Sequence, residues 1–253
     1  MPERVYGLHA LRALLLRAPQ RVQRVWLQRE RRDARIAELE AAARAAGRAI
    51  ERVDAARLRT LAGDVVHQGV VAEIEPLQPW REDDLLAALA SHDAPLLLAL
   101  DGVQDPHNLG ACLRSADACG ALALVVPKDR AAQLNAAARK VAAGAAETTP
   151  VVAVTNLVRT LTLLKDAGLW IIGAAAEADR RAQDVDLTGP RCLVLGAEGS
   201  GLRELTRRHC DWLVRLPDRG AVESLNVSVA AGMLLYESVR QREAHSPSLE
   251  TRS

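Results

Sequence analysis

Phenylalanine is missing from this 253-residue chain, and it has only four tryptophans and two tyrosines. A nucleic-acid stacking platform of the RRM or OB type needs several aromatics on adjacent strands, so that mode of binding is not expected. No run of eighteen apolar residues exists to span a membrane. The opening MPERVYGLHA is charged and lacks a long apolar stretch before a small-residue cleavage site, which points away from a secretory signal and towards the cytoplasm. Cysteine is sparse: Cys112, Cys119, Cys192 and Cys210 form no C-x-x-C pair and lie in apolar or helical surroundings. They read as buried, reduced thiols, and the close Cys/His pairs of a zinc site are lacking, so no metal is expected.

What is present is an ordinary globular composition, 49% hydrophobic and 26% charged, in a length that suits one large domain or two modest ones. The net charge of +1 hides an asymmetry. Residues 1–75 carry 14 Lys/Arg against 10 Asp/Glu, a net of +4, whereas residues 96–253 carry 18 of each. A basic first segment hints at a polyanionic partner, and arginine, which supplies nearly all of the positive charge, suits phosphate contact.

Periodicity divides the chain. Residues 7–17 place apolar side chains on one helical face, and 22–28 (VQRVWLQ) read as a strand. Residues 33–46 form a helix that Asp33 can cap and Gly47 can end. A strand at 49–53, a helix near 54–62 and a strand at 69–74 complete a small α/β domain over 1–75. Residues 76–95 begin with two prolines, turn acidic and end at Pro95, the composition of a linker with a short helix at 83–90. From 96 to 241, strands at 96–101, 121–126, 150–154, 169–174, 191–196 and 212–216 alternate with helices at 109–119, 132–143, 155–167, 201–208 and 224–240. Continuous apolar strands such as LLLAL and WIIGA indicate a parallel sheet covered on both faces. Residues 242–253 read as a polar, disordered tail.

Open parallel sheets bind ligands beyond the carboxyl ends of their strands, and three such ends carry polar and glycine clusters. In DGVQDPHNLGACLRSA (101–116) a helix opens near Asn108, with Arg114 two turns in; the plain alternative is Asn108 as an N-cap and Arg114 as a solvated charge. In LVLGAEGSGLREL (193–205), Gly196, Gly199 and Gly201 let a backbone approach a ligand, with Glu198 among them. The spacing is neither G-x-G-x-x-G nor Walker A, which excludes a dinucleotide-binding oxidoreductase or a P-loop. In RLPDRGAVESLNVSVAAG (215–232), Ser224 is a plausible N-cap, whereas Asn226, one turn inside that helix, has no comparably simple structural role.

Taken in order, N-x-G-x-x-x-R, L-G-x-E-G-x-G-L and L-P…S-L-N-V-S-V-A resemble the three motifs of the SpoU (TrmH-type) RNA 2′-O-methyltransferases over about residues 96–241. The stretches VYGLHALRALL and VHQGVVA (within 65–72) resemble the L30e-like domain that precedes the catalytic domain in one branch, the branch that modifies a guanosine of bacterial 23S ribosomal RNA. The resemblance implies a C-terminal domain tied into a trefoil knot, an exception to unknotted topology. It implies S-adenosylmethionine held by the loops near 196–201, 216–219 and 224–226, with Gly196, Gly199, Leu216, Ser224, Leu225 and Asn226 at the cofactor. It also implies a homodimer with the site at the subunit interface. Arg114 would serve as proton acceptor for the ribose hydroxyl, assisted by a substrate phosphate, because guanidinium alone is a reluctant base. Asn108 and Glu198 would orient it, and Ser224 and Asn226 would shape the pocket. His107 is more plausibly a locally bonded loop residue than a base, and His67 a structural or RNA-contacting one. The alternatives are a tRNA 2′-O-methyltransferase, against which the front domain argues, and a non-catalytic RNA-binding or ribosome-assembly protein, against which the presence of Arg114, Glu198 and Asn226 argues.

Overall fold

Seven short α/β segments open the chain in the computed structural model, which describes residues 3–75, 79–217 and 224–245. The chain divides into two units, one of residues 1–78 with 143–148, the other of residues 79–142 with 149–253.

The first unit runs β1 (Glu3–Tyr6), α1 (Leu8–Arg17), β2 (Val22–Gln28), α2 (Ala34–Ala45), β3 (Ala49–Val53), α3 (Ala55–Ala62) and β4 (Val70–Ile74). Its sheet has the order β1-β4-β2-β3; β4 lies antiparallel to β1 and β2, and β3 parallel to β2. Strand alternation sorts the core. Val25, Leu27, Ala72 and Ile74 join Leu11 and Leu14 of α1 and Ile36 and Leu39 of α2 in one cluster, while Trp26 and Val71 join Leu58 and Leu61 of α3 in another. Asp33 caps α2 by accepting from the Ile36 N–H at 3.4 Å, and Gly47 follows that helix in the left-handed region. Within this unit Arg21 and Glu147 are buried and ion-paired, Nη2 to Oε2 at 3.2 Å.

The second unit begins earlier than a linker over 76–95 would allow. Residues 82–89 form α4 (Glu82–Leu89), whose Leu85 and Leu89 enter the sheet's core together with Trp80. Acidic side chains fill only its first turn, where they favour the helix dipole, so the acidic signal read as a linker belongs to a helix start. Then follow β5 (Leu96–Asp101), α5 (Pro106–Ala118), β6 (Ala123–Pro127), α6 (Ala136–Ala142), β7 (Val151–Val154), α7 (Leu157–Asp166), β8 (Trp170–Ala174), β9 (Arg180–Arg181), β10 (Arg191–Gly196), α8 (Glu204–His209), β11 (Trp212–Arg215) and α9 (Val227–His245). Seven parallel strands are ordered β7-β6-β5-β10-β8-β11-β9. All six residues of β5 are buried, as a strand covered on both faces requires. Leu97, Ala99, Val125 and Ile171 meet α4 and α7 on one face; α5 and α9 contact the sheet at β6 and β10.

Residues 242–245, expected in the tail, belong to a helix. α9 continues to His245 because Arg242 donates to the carbonyls of Ala94 (2.7 Å) and Gly189 (2.8 Å) and Gln241 donates to that of Val185, tying its last turn to the unit. The remaining tail residues lie outside the described residues.

Candidate active site

Adjacent strands β5 and β10 end in register, Asp101 beside Gly196, and the loops that leave them face each other. Asp105, not Asn108, caps α5: its Oδ1 accepts from the His107 N–H at 2.9 Å, and Pro106 occupies the first helical position. Asn108 is thereby relieved of capping, and its amide Nδ2 donates to Glu198 Oε1 at 3.2 Å. His107 bonds locally, its Nδ1 3.1 Å from Asp105 Oδ1. The His107 backbone N–H, chiefly, holds the Asp105 carboxyl below the usual carboxylate range.

The glycine loop explains how Glu198 arrives there. Gly201 N–H donates to the Ala197 carbonyl at 2.9 Å, closing a turn in which Gly199 and Gly201 take positive φ of 78° and 64°. A Cβ at Gly196 would overlap the backbone of Gly201 and Leu202, so this glycine is demanded by the loop's own return. Gly110 of the first motif is likewise a packing residue, since a side chain there would strike the Ala138 carbonyl on α6.

The third motif completes the arrangement. α9 begins at Val227, which puts Asn226 before the helix and not inside it. Its Oδ1 accepts from the Ser228 N–H at 3.0 Å, a capping role that the expectation for Asn226 did not include. Its Nδ2 donates to Glu198 Oε1 at 2.6 Å and to Asn108 Oδ1 at 3.0 Å. Glu198 Oε1 also accepts from the Val227 N–H at 3.2 Å, where the helix N-terminus favours a carboxylate. Asn108, Glu198 and Asn226, drawn from three strand ends, thus form one closed hydrogen-bonded ring. Beside it lies a cleft of ≈ 440 Å³ lined by Asp101, Asp105, Asn108, Arg130, Glu198 and Arg203, among others.

Other expected site residues stand apart from that ring. Arg114 is six residues beyond Asn108, about 9 Å further along the helix axis. It is exposed, does not line the cleft and has no hydrogen bond or ion pair among the described residues. Half-buried Leu216 lines a separate cleft of ≈ 400 Å³ with Pro217, Met233 and Tyr236. Leu225 is 39% exposed, and Ser224 is exposed without a hydrogen bond among the described residues. Of the loop expected at 216–219, residues 218 and 219 lie outside the described residues.

Asp101 and Arg203 escaped the sequence reading of the site. Asp101 is 1% exposed; its Oδ2 accepts from the Arg203 N–H at 2.9 Å, and its Oδ1 faces Arg203 Nε at 3.5 Å without a hydrogen bond. The signal was an acid ending an otherwise apolar strand. Burial, with the Glu198 charge added, pushes the Cys112 thiol up to about 12, which makes it a packing group and not a nucleophile. Among the described residues no His/Cys/Asp/Glu group is arranged to hold a metal ion, and no helix is long and apolar enough to cross a membrane.

Comparison with known proteins brings these features together. The model of the SpoU rRNA Methylase family matches residues 95–236, and that for RNA 2′-O ribose methyltransferase substrate binding matches residues 4–80. The 23S rRNA (guanosine-2′-O-)-methyltransferase RlmB of Escherichia coli K12 is 52% identical over 242 residues, 96% of this chain and 100% of the relative. RlmB of Pseudomonas aeruginosa is 55% identical over 241 residues, 95% and 97% of the two chains. The crystal structure of the SpoU methyltransferase AviRb from Streptomyces viridochromogenes, in complex with the cofactor AdoMet, gives a TM-score of 0.71 at 25% identity and covers 96% of this chain and 91% of that one.

Proposed function

The chain belongs to the SpoU rRNA methylase family, and we propose that it methylates the ribose 2′-hydroxyl of a guanosine in 23S ribosomal RNA using S-adenosylmethionine. The observation that carries the reading is the ring of Asn108, Glu198 and Asn226, three motifs joined at the carboxyl ends of a parallel sheet. Near-complete coverage by RlmB relatives favours ribosomal RNA over tRNA, and the first unit, matched by a substrate-binding family model, is the part that docks it.

The residues present fit the cofactor. Beside Gly199 and Gly201 an added Cβ would meet nothing within 4 Å, so the loop offers open backbone. Leu216 and the part-exposed Leu225 offer apolar contact of the kind an adenosyl group takes. We assign Gly196, Gly199, Leu216, Ser224, Leu225 and Asn226 to holding it; when bound, it supplies an electrophilic methyl on a sulfonium. The chain must align the ribose hydroxyl and remove its proton. Glu198, fixed by three N–H donors, keeps Asn108 and Asn226 in place at the pocket wall. Arg114 receives or relays the proton, with a substrate phosphate sharing the task.

Arg114 has no partner among the described residues of its own chain, which supports a site completed in a homodimer. Val229, Met233 and Tyr236 support it as well: they are 50%, 36% and 64% exposed and recur at helical spacing along α9. The insertion of β10 between β5 and β8 supports the trefoil knot. A ribosomal RNA substrate supports the cytoplasm as the enzyme's place of action. Mapping ribose methylation in RNA from cells with and without this protein tests the reading. One 2′-O-methylguanosine should vanish from 23S RNA; an unchanged ribosomal map with a lost tRNA methyl group would favour the tRNA alternative.

A further inference from the structure

The ≈ 440 Å³ cleft contains more polar machinery than the methyl transfer uses. Of its three carboxylates, Glu198 is held by the ring and Asp101 by Arg203. Asp105 lines the cleft while its Oδ1 takes the His107 N–H and lies 3.1 Å from His107 Nδ1, and a carboxylate, with about four acceptor positions on two oxygens, has capacity beyond these contacts. Of the two guanidiniums, Arg203 leans on buried Asp101 and lies close over Gly102, where an added Cβ would come within 2.9 Å of Nη2. Arg130 is exposed, has no hydrogen bond or ion pair among the described residues and sits in the left-handed region at φ 54°. A non-glycine residue held there merits a functional explanation.

Three carboxylates against two guanidiniums make a poor seat for a phosphate. They suit a neutral ring with hydrogen-bond donors on one edge and acceptors on another. Among the nucleobases guanine is that ring: N1–H and N2–H₂ donate, while O6 and N7 accept from arginine. RNA-modifying proteins read unstacked bases on these edges, and the cleft volume lies in the range of ligand pockets. The geometry points to this cleft as the pocket for the target guanine, with Asp105 accepting from its donor edge and Arg130 and Arg203 donating to O6 and N7. Buried Asp101 positions Arg203. This inference rests on the function proposed above and adds its base specificity.

The test uses full-length protein and 23S RNA transcripts carrying guanosine, inosine or adenosine at the mapped position. Asp105→Asn retains an equally good helix cap but replaces one acceptor by a donor. Arg130→Gly removes the guanidinium while suiting the positive φ. The readout is the ratio of kcat/KM for guanosine to that for adenosine, which partial unfolding of a variant does not alter. The wild type should prefer guanosine, with inosine between, and each variant should reduce the preference by roughly 5- to 100-fold. Equal modification of guanosine and adenosine by the wild type, or an unchanged ratio in both variants, overturns the guanine pocket while leaving the methyltransferase reading intact. No methyl transfer to any transcript overturns that reading, and the pocket with it.

Discussion

The two units use arginine differently. In the first, Arg4 donates to the Leu61 carbonyl at 2.8 Å, Arg48 to that of Ala46 at 2.7 Å, and Arg52 to those of Arg31 and Gln28 while pairing with Glu40. These guanidiniums are fixed in place by the carbonyls they reach. In the second unit, Arg130 lines the cleft at the carboxyl ends of the sheet and Arg114 lies two turns along α5, and neither reaches a partner among the described residues. Net charge therefore ranks the units in the wrong order for chemistry. The more basic unit has several arginines committed to its own carbonyls, although the side chains of its exposed Arg32, Arg35, Arg57 and Arg59 have no hydrogen bond or ion pair among the described residues, and the slightly acidic second unit has Arg130 unpaired in its cleft.

The largest effect should come from an unpaired arginine. Arg114→Ala should slow single-turnover methyl transfer about 10²–10⁴-fold with fold and cofactor affinity nearly intact. Arg114→Lys separates charge from the planar fork, and a near-normal rate in it would show that charge alone matters. A structural arginine should behave in the opposite way. Breaking the buried Arg21–Glu147 pair with Arg21→Ala should cost about 3 kcal/mol in chemical denaturation while methyl transfer at saturating RNA, measured below the transition, stays normal.

Asn226 combines both roles and sharpens the contrast. Asn226→Ser keeps an oxygen that can cap α9 but lacks the amide that reaches Glu198, whereas Asn226→Ala lacks both. Both variants should lose activity, and only the alanine variant should also lose about 1 kcal/mol of stability. If serine restores the rate, the ring is unnecessary.

The smallest effect concerns thiols, all of which lie in the second unit. Burial pushes Cys112 and Cys210 up to about 12 from an ordinary 9.0. A raised folded-state value means that the contribution is complete below pH 9 and is lost as pH climbs towards 12. Tryptophan fluorescence of Trp170 and Trp212 should therefore report alkaline weakening of the second unit, and Cys112→Ala should flatten it. Equal weakening reported by Trp26 of the first unit would break the comparison.

Much of this was legible in the sequence, for physical reasons. β2, β5 and β10 span the residues expected of them, 22–28, 96–101 and 191–196, because the apolar side chains in each are buried on the sheet. β1 was missed since its Glu3 and Arg4 carry no apolar signal and pairing with β4 alone makes it a strand. β9, two residues long, exists only as a partner of β11. Within the site, motif order gathered Asn108, Glu198 and Asn226, yet Asn108 was misjudged as a possible cap because Asp105-Pro106 is the stronger helix start. A ring closing over 118 residues of chain leaves no local trace. Neither does the left-handed backbone of Arg130.

One measurement bears most directly on the central claim. Purified protein is incubated with methyl-labelled S-adenosylmethionine and unmodified 23S RNA, and the RNA is digested to nucleosides. Label recovered in 2′-O-methylguanosine, and lost with Glu198→Ala, is the predicted result. Label on a base carbon or nitrogen, or none in RNA at all, would contradict the account.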